Sequence, residues 1–147
     1  MSVQNTHYGA GKISELLRDK KRIFFIGVGG INMSSLALIW QKRGFVAGGS
    51  DRTRTALTEK LEQSGIEVFY GHDATNVENY DAVVYTVAIS EDNPEYVRAA
   101  ERGIPCISRA DFMGYLMTGY NRRIGISGMH GKSTCTSMCA SVFMHAE

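Results

Sequence analysis

RIFFIGVGGINMSSLALIWQKR, residues 22–43, reads as a buried strand that runs through a glycine turn into a helix. Residues 22–28 form a short apolar run entered from a basic stretch and closed by glycines, the pattern of a strand covered on both faces. Residues 33–43 follow with apolar side chains at 33, 36, 37, 39 and 40, which is one helical face. Between them, Gly27, Gly29 and Gly30 let the backbone turn sharply and approach a ligand closely. The free N–H groups and the positive end of the helix dipole then favour a diphosphate.

Asp51 closes the next strand 24 residues after Gly27, near the place where a dinucleotide-binding fold keeps a carboxylate for ribose hydroxyls. The third glycine of the GxGxxG pattern is replaced by Asn32. Two plainer readings stand beside the nucleotide site. The glycines can serve only to pack a helix on a strand, and Asp51 can cap a helix beginning near Thr53.

Outward from this unit the strand-then-helix rhythm repeats. Strands are expected at 45–49, 66–70, 82–87 and 105–108, and helices at 55–64, from Pro94 to Gly103, and at 109–117. A short helix at 12–19 would turn Ile13, Leu16 and Leu17 inward, and the first residues, to about His7, are expected to fray. Alternating elements with short connectors predict an α/β fold: a Rossmann-like parallel sheet with helices on both faces.

A second glycine loop, Gly128-Met129-His130-Gly131-Lys132-Ser133-Thr134, lies between an expected strand at 124–127 and an expected helix at 132–145. Lys132 is placed to put a point charge on the β/γ-phosphates of ATP, and Ser133 to offer a hydroxyl to Mg2+. A helix N-terminus with a solvated Lys132 is the plainer alternative. Thr134 is followed by only 13 residues, too few for the acidic metal ligand and sheet that such a loop works with. The expected division is therefore a domain at 1–120 and the start of a second, truncated one at 121–147. Without the rest of that domain, residues 124–127 and the Met138, Val142, Phe143 side of the last helix are expected to be exposed. They would then dock on a sheet edge or pair with another copy as a homodimer.

A formal charge of +1 leaves no electrostatic footprint for nucleic acid or an anionic membrane. No apolar run approaches the ~20 residues that span a bilayer, and the polar first residues lack the core of a secretory signal. Three cysteines without CxxC spacing argue against a disulfide framework or zinc site, so Cys106, Cys135 and Cys139 read as small buried thiols in a reducing cytoplasm.

The two loops, about 100 residues apart, occur with IGVGGINMSSLA (26–37), GGSD (48–51), GIEVFYGHD (65–73), VVYTVAISEDNPE (83–95), RGIPCISRADFMGYL (102–116) and RRIGISGMHGKSTCTSM (122–138). In order and spacing these resemble the N-terminal part of a Mur ligase. The resemblance implies a UDP-sugar domain, a central ATPase domain and a C-terminal amino-acid-binding domain. Its implied reaction is ATP-dependent amide formation joining L-alanine to UDP-N-acetylmuramate, through phosphorylation of the muramic acid carboxylate and attack of the amine on the acyl phosphate.

By the same resemblance, Gly29, Gly30, Ile31, Asn32, Met33 and Ser34 would line the UDP diphosphate. Ser50, Asp51 and Arg52 would approach the uridine, Gly71 and His72 would close the pocket, and Ala88 to Ser90 would add to it. The plainer reading of His72 is a loop imidazole that touches only water. Residues 128–134 would bind ATP, with Lys132 and Mg2+ stabilising the phosphoryl group in transfer.

The sequence departs from the family pattern at Asn32, which replaces a small residue, and at Met129 and Ser133, which replace threonines. Asn32 can donate to a phosphate or narrow the site, Ser133 keeps the hydroxyl, and Met129 loses one phosphate contact. The implied expectation is weak UDP-sugar binding and no turnover from these 147 residues alone. Rival readings are a ligase that reattaches recycled murein peptide to UDP-N-acetylmuramate, an NAD-binding oxidoreductase using Gly27, Gly29 and Asp51, and a nucleotide-sensing regulatory domain. The last two leave Lys132 without a role.

Overall fold

The computed structural model describes residues 3–146. Five strands, β1 (Arg22–Ile26), β2 (Val46–Asp51), β3 (Glu67–Tyr70), β4 (Ala82–Tyr85) and β5 (Cys106–Ser108), form one sheet in the order β3-β2-β1-β4-β5. Every pairing is parallel, with Phe24 opposite both Gly48 and Val83. The helices are α1 (Ala10–Leu16), α2 (Ile31–Lys42), α3 (Ala56–Gln63), α4 (Pro94–Glu101), α5 (Arg109–Thr118) and α6 (Lys132–His145), with a 3-10 turn at Ala74–Val77.

Alternation along β1 sorts the core into two layers. Ile23 and Phe25 pack with Met33, Leu36, Ala37 and Trp40 of α2 and with Phe112 and Leu116 of α5. Phe24 and Ile26 face the other way, against Val77, Tyr80, Val83, Tyr85 and Ala99. Side chains on both faces are what a parallel sheet under crossover helices requires. Short side-chain caps fix where the helices begin. Thr55 and Thr58 form a reciprocal capping box on α3, and Asn93 Oδ1 accepts from the N–H groups of Glu95 and Tyr96 ahead of Pro94.

Four expectations are corrected. Residues 124–127 are not a strand: the backbone there has no ladder partner among the described residues, and the sheet ends at β5. Helix α6 does not dock on a sheet edge; Met138, Val142 and Phe143 stay 61–65% exposed. Cys135 is exposed and both Cys106 and Cys139 are half-buried, so none of the three is the fully buried thiol expected.

The N-terminal segment is also tied down rather than frayed, with Met1 and Ser2 outside the described residues. Val3 is buried and its N–H donates to Ile89 O, Tyr85 Oη donates to Gln4 O, and Thr6 Oγ1 donates to Asp111 at 2.6 Å. These bonds recruit partners some 80–105 residues away, a pairing that local composition does not encode.

Candidate functional site

Chain order reverses between β1 and β4, and in open parallel sheets ligands sit beyond the carboxyl ends of the strands at that switch point. The first loop lies there. Gly27 adopts φ +80°, and the N–H groups of Gly27 and Val28 both donate to Ser50 O, stitching the loop to β2. Gly29 donates its N–H to Asp51 Oδ2 at 2.9 Å. Gly30 caps α2, whose first three N–H groups, on Ile31, Asn32 and Met33, have no acceptor within the helix. Those three donors and the helix dipole suit an anion.

Side chains in this stretch divide sharply. Met33 and Ser34 are only 2% exposed; Met33 belongs to the core and Ser34 Oγ donates to Ile31 O. Their share in a diphosphate site is confined to the backbone, because inward-facing helix positions serve the core. Ile31 and Asn32 face solvent. Asp51 is not a helix cap: α3 is capped by Thr55, and the Asp51 carboxylate holds the loop instead.

A cleft of about 190 Å3 opens beside the loop, lined by Gly27, Asp51, Arg52, His72, Thr86, Ala88, Ile89 and Asn93. It gathers Asp51, Arg52, His72 and Ala88 from three separate strand ends. Gly71, at φ +97°, turns the chain so that His72 faces inward, and its N–H donates to Asp51 O. Ser90 is not among the lining residues.

Ser50 differs from expectation, being fully buried with its Oγ donating to Glu95 Oε2 at 2.7 Å. His72 does not touch only water, since its Nδ1 lies 2.8 Å from the same Glu95 oxygen. Asn76 Nδ2 donates to Glu95 Oε1 at 2.8 Å and completes the cluster. Glu95 and Asn76 carry no sequence signal for this role. A carboxylate in the first turn of a helix reads as a dipole partner, and only the tertiary fold buries it. Thr86 and Asn93 were likewise absent from the sequence-based site, whereas Ile89, within the expected stretch from Ala88 to Ser90, does line the cleft.

The second loop, residues 128–134, is exposed. Gly131 sits at φ +75° before α6, and Lys132 Nζ donates to the carbonyls of Gly128 and Met129. The ammonium thus rests against its own loop, over the helix end where a phosphate would meet it. The N–H groups of Lys132, Ser133 and Thr134 head the helix, so the donor set fits a triphosphate. Ser133 is the hydroxyl suited to Mg2+, and the described residues contain no cluster of three acidic, His or Cys ligands beside it. A second cavity, about 630 Å3, brings Asn32 and Ser35 of α2 together with Arg109, Ile126, Lys132 and Thr136. The two loops therefore open onto one shared space.

The model of the Mur ligase family, catalytic domain, matches residues 22–121. The UDP-N-acetylmuramate–L-alanine ligase of Clostridium tetani is 45% identical over 132 residues, 90% of this chain and 29% of that protein. Its counterpart from Clostridium botulinum strain Okra is 48% identical over 133 residues, with the same coverage. The crystal structure of the UDP-N-acetylmuramate–alanine ligase from Thermotoga maritima superposes with a TM-score of 0.80 at 35% identity, over 84% of this chain and 29% of that one. A UDP-N-acetylmuramate:L-alanyl-gamma-D-glutamyl-meso-diaminopimelate ligase from Neisseria meningitides gives 0.78 at 30% identity, over 85% and 40%. The chain spans about 29% of the length of the curated relatives it matches.

Proposed function

This chain belongs to the Mur ligase family, and on that premise we propose that it is the UDP-N-acetylmuramate-binding part of an ATP-dependent ligase that adds L-alanine to that nucleotide sugar. Residues 1–120 are the UDP-sugar domain and 121–147 open the ATP-binding domain. The observation that carries the reading is the shared cavity, with Asn32 of the diphosphate loop on one wall and Lys132 of the triphosphate loop on the other. A reaction that moves a phosphoryl group onto a sugar-linked carboxylate needs the two nucleotides to meet in such a space.

ATP, when bound, supplies the phosphoryl group that activates the carboxylate. The chain's own residues bind and orient. The N–H groups of Ile31, Asn32 and Met33, with Gly29 and Gly30 giving close approach, hold the UDP diphosphate, and Asp51, Arg52, Gly71, His72 and Ala88 frame the nucleoside in the cleft. Ser50 and Ser34 support these residues from behind. Residues 128–134 would cradle the ATP phosphates: Lys132, which rests on the Gly128 carbonyl, would offer its charge to the phosphate oxygens, and Ser133 would offer its hydroxyl to Mg2+.

A ligase for recycled murein peptide is the second reading, favoured by the 0.78 superposition on the Neisseria enzyme. No described helix is long and apolar enough to cross a membrane, and the nucleotide substrates argue for work in the cytoplasm. The exposed side of α6, with Met138, Val142 and Phe143, supports a homodimer through this segment. Light scattering tests it, and a monomer at 100 times the usual assay concentration, roughly the range where weak pairs form, refutes it.

Isothermal titration of the chain with UDP-N-acetylmuramate, ATP and NADH tests the main reading. Heat from the UDP-sugar and none from NADH is expected, whereas NADH binding alone overturns it.

A further inference from the structure

Glu95 is the only Asp, Glu, Lys, Arg or His side chain that is fully buried among the described residues. A buried carboxylate persists where donors surround it. Its Oε1 accepts from Asn76 Nδ2 at 2.8 Å. Its Oε2 accepts from Ser50 Oγ at 2.7 Å and lies 2.8 Å from His72 Nδ1. Ser50 Oγ is also 3.1 Å from Nδ1, but its single proton is directed to Glu95. An ionised carboxylate has no proton to give, so the proton in the contact with His72 belongs to Nδ1. Neutral His72 then carries a bare lone pair on Nε2, on the ring edge turned away from Glu95. His72 lines the cleft beside Asp51, Arg52 and Ala88.

We propose that Glu95 is a positioning residue that fixes His72 as the Nδ1–H tautomer, so that Nε2 accepts a hydrogen bond from the nucleoside of the bound nucleotide. The inference rests on the UDP-sugar reading for its ligand and on the cluster alone for its tautomer. The donor recognised is an N–H or O–H of the nucleoside: N3–H of a uracil ring or a ribose hydroxyl. A cleft built this way selects by hydrogen bonding, because a nucleoside without the donor leaves a half-buried acceptor unpaired. Asn76 supports the same geometry from the other side, reaching Gly71 O at 3.4 Å as well as Glu95.

Long-range 15N–1H spectra of the chain at pH 8 report the tautomer directly. The expected signal is Nδ1–H for His72, lost or inverted in E95Q, whose amide can donate to Nδ1. Titrations with UDP, 3-methyl-UDP and 2′-deoxy-UDP read the acceptor. In H72N the amide nitrogen stands in for Nδ1 and still donates to Glu95 while Nε2 is gone, so UDP should bind about tenfold more weakly in a folded protein. The analogue that lacks the recognised donor should lose affinity on the unaltered chain and lose no more on H72N.

An Nε2–H tautomer or an imidazolium in the unaltered chain overturns the proposal, as does UDP affinity unchanged by H72N. If E95Q does not fold, the spectrum of the unaltered chain and H72N still decide. Absence of any UDP binding by the unaltered chain refutes the functional reading instead, and the tautomer spectrum then judges Glu95 on its own.

Discussion

The Asp51 carboxylate accepts the backbone N–H of Gly29 at 2.9 Å, so the end of β2 holds the first glycine loop in place. A Cβ added at Gly29 would stand 2.6 Å from Asp51 Oδ2 and 3.0 Å from Thr58 Cγ2. The carboxylate that a sequence motif assigns to a ribose is therefore also what a side chain at Gly29 would have to displace.

Gly29→Ala should destabilise the fold by about 1–3 kcal/mol, the usual cost of forcing a methyl group into filled space. It should weaken UDP binding as well, because Asp51 must leave the Gly29 N–H to make room. A urea midpoint equal to that of the unaltered chain would show that Asp51 swings aside freely.

Adjacent glycines in β2 serve a different purpose. A Cβ on Gly48 would collide with the Tyr80 hydroxyl and lie 2.6 Å from Tyr80 Cζ, while one on Gly49 would meet Phe25 O and Val28 Cβ. Tyr80 is itself fixed, edge-on to Phe24 with ring centroids 5.0 Å apart and donating to Glu67. Gly48→Ala should cost roughly 2–3 kcal/mol. Tyr80→Phe removes the nearest colliding atom, so the double variant should be less destabilised than the sum of the singles, by about 0.5–2 kcal/mol. Gly49→Ala meets backbone and gains nothing from Tyr80→Phe. Strict additivity for Gly48 and Tyr80 in urea melts would contradict the geometry.

The apolar run of β1 and the helix starts near Thr55, Pro94 and Arg109 were legible in the sequence because they rest on patterns local to a few residues, whereas the side-chain caps that fix those starts came only with the structure. The loops were legible too, since glycine is needed where φ is positive, as at Gly27 and Gly131. What escaped was long-range. Nothing local marks Glu95 as the buried partner of His72 and Ser50, or Thr6 as a partner of Asp111. The expected strand at 124–127 failed for the same reason, because its apolar run has strand propensity and no neighbour to pair with.

Burial governs the alkaline limit. It pushes the Cys106 thiol from 9.0 up to about 11 and Tyr85 from 10.0 to about 12, with neighbouring Tyr96 adding to the latter. Tyr80 is raised still further, by burial first and by Glu67 second. Each folded-state value lies above its unfolded one, so the folded state retains protons that the unfolded chain releases. Stability from these groups is complete below pH 9 and declines as pH rises towards 11 and beyond. Urea midpoints should fall from pH 9 to 10.5, and Cys106→Ser should flatten the first part of that fall. In the same range exposed Cys135 should alkylate well before Cys106. A flat profile, or equal labelling of both thiols, would contradict this.

The N-terminal segment links stability to the cleft. Thr6 Oγ1 donates to Asp111 at 2.6 Å and accepts from the N–H of Ser108 at 2.9 Å, while the Tyr8 N–H reaches the same Asp111 oxygen. Three residues earlier, Val3 N–H donates to the carbonyl of Ile89, which lines the cleft. Thr6→Val keeps the shape and removes both hydroxyl bonds, leaving the N–H of buried Ser108 unpaired, at a cost of about 1–3 kcal/mol. Hydrogen exchange across residues 3–9 should speed up in this variant, and UDP affinity should fall several-fold, roughly 1 kcal/mol, as the Ile89 turn loosens. Residues 3–9 of the unaltered chain should be protected in the same experiment. If they already exchange like an unfolded chain, the segment is not held and the link to the cleft is lost with it.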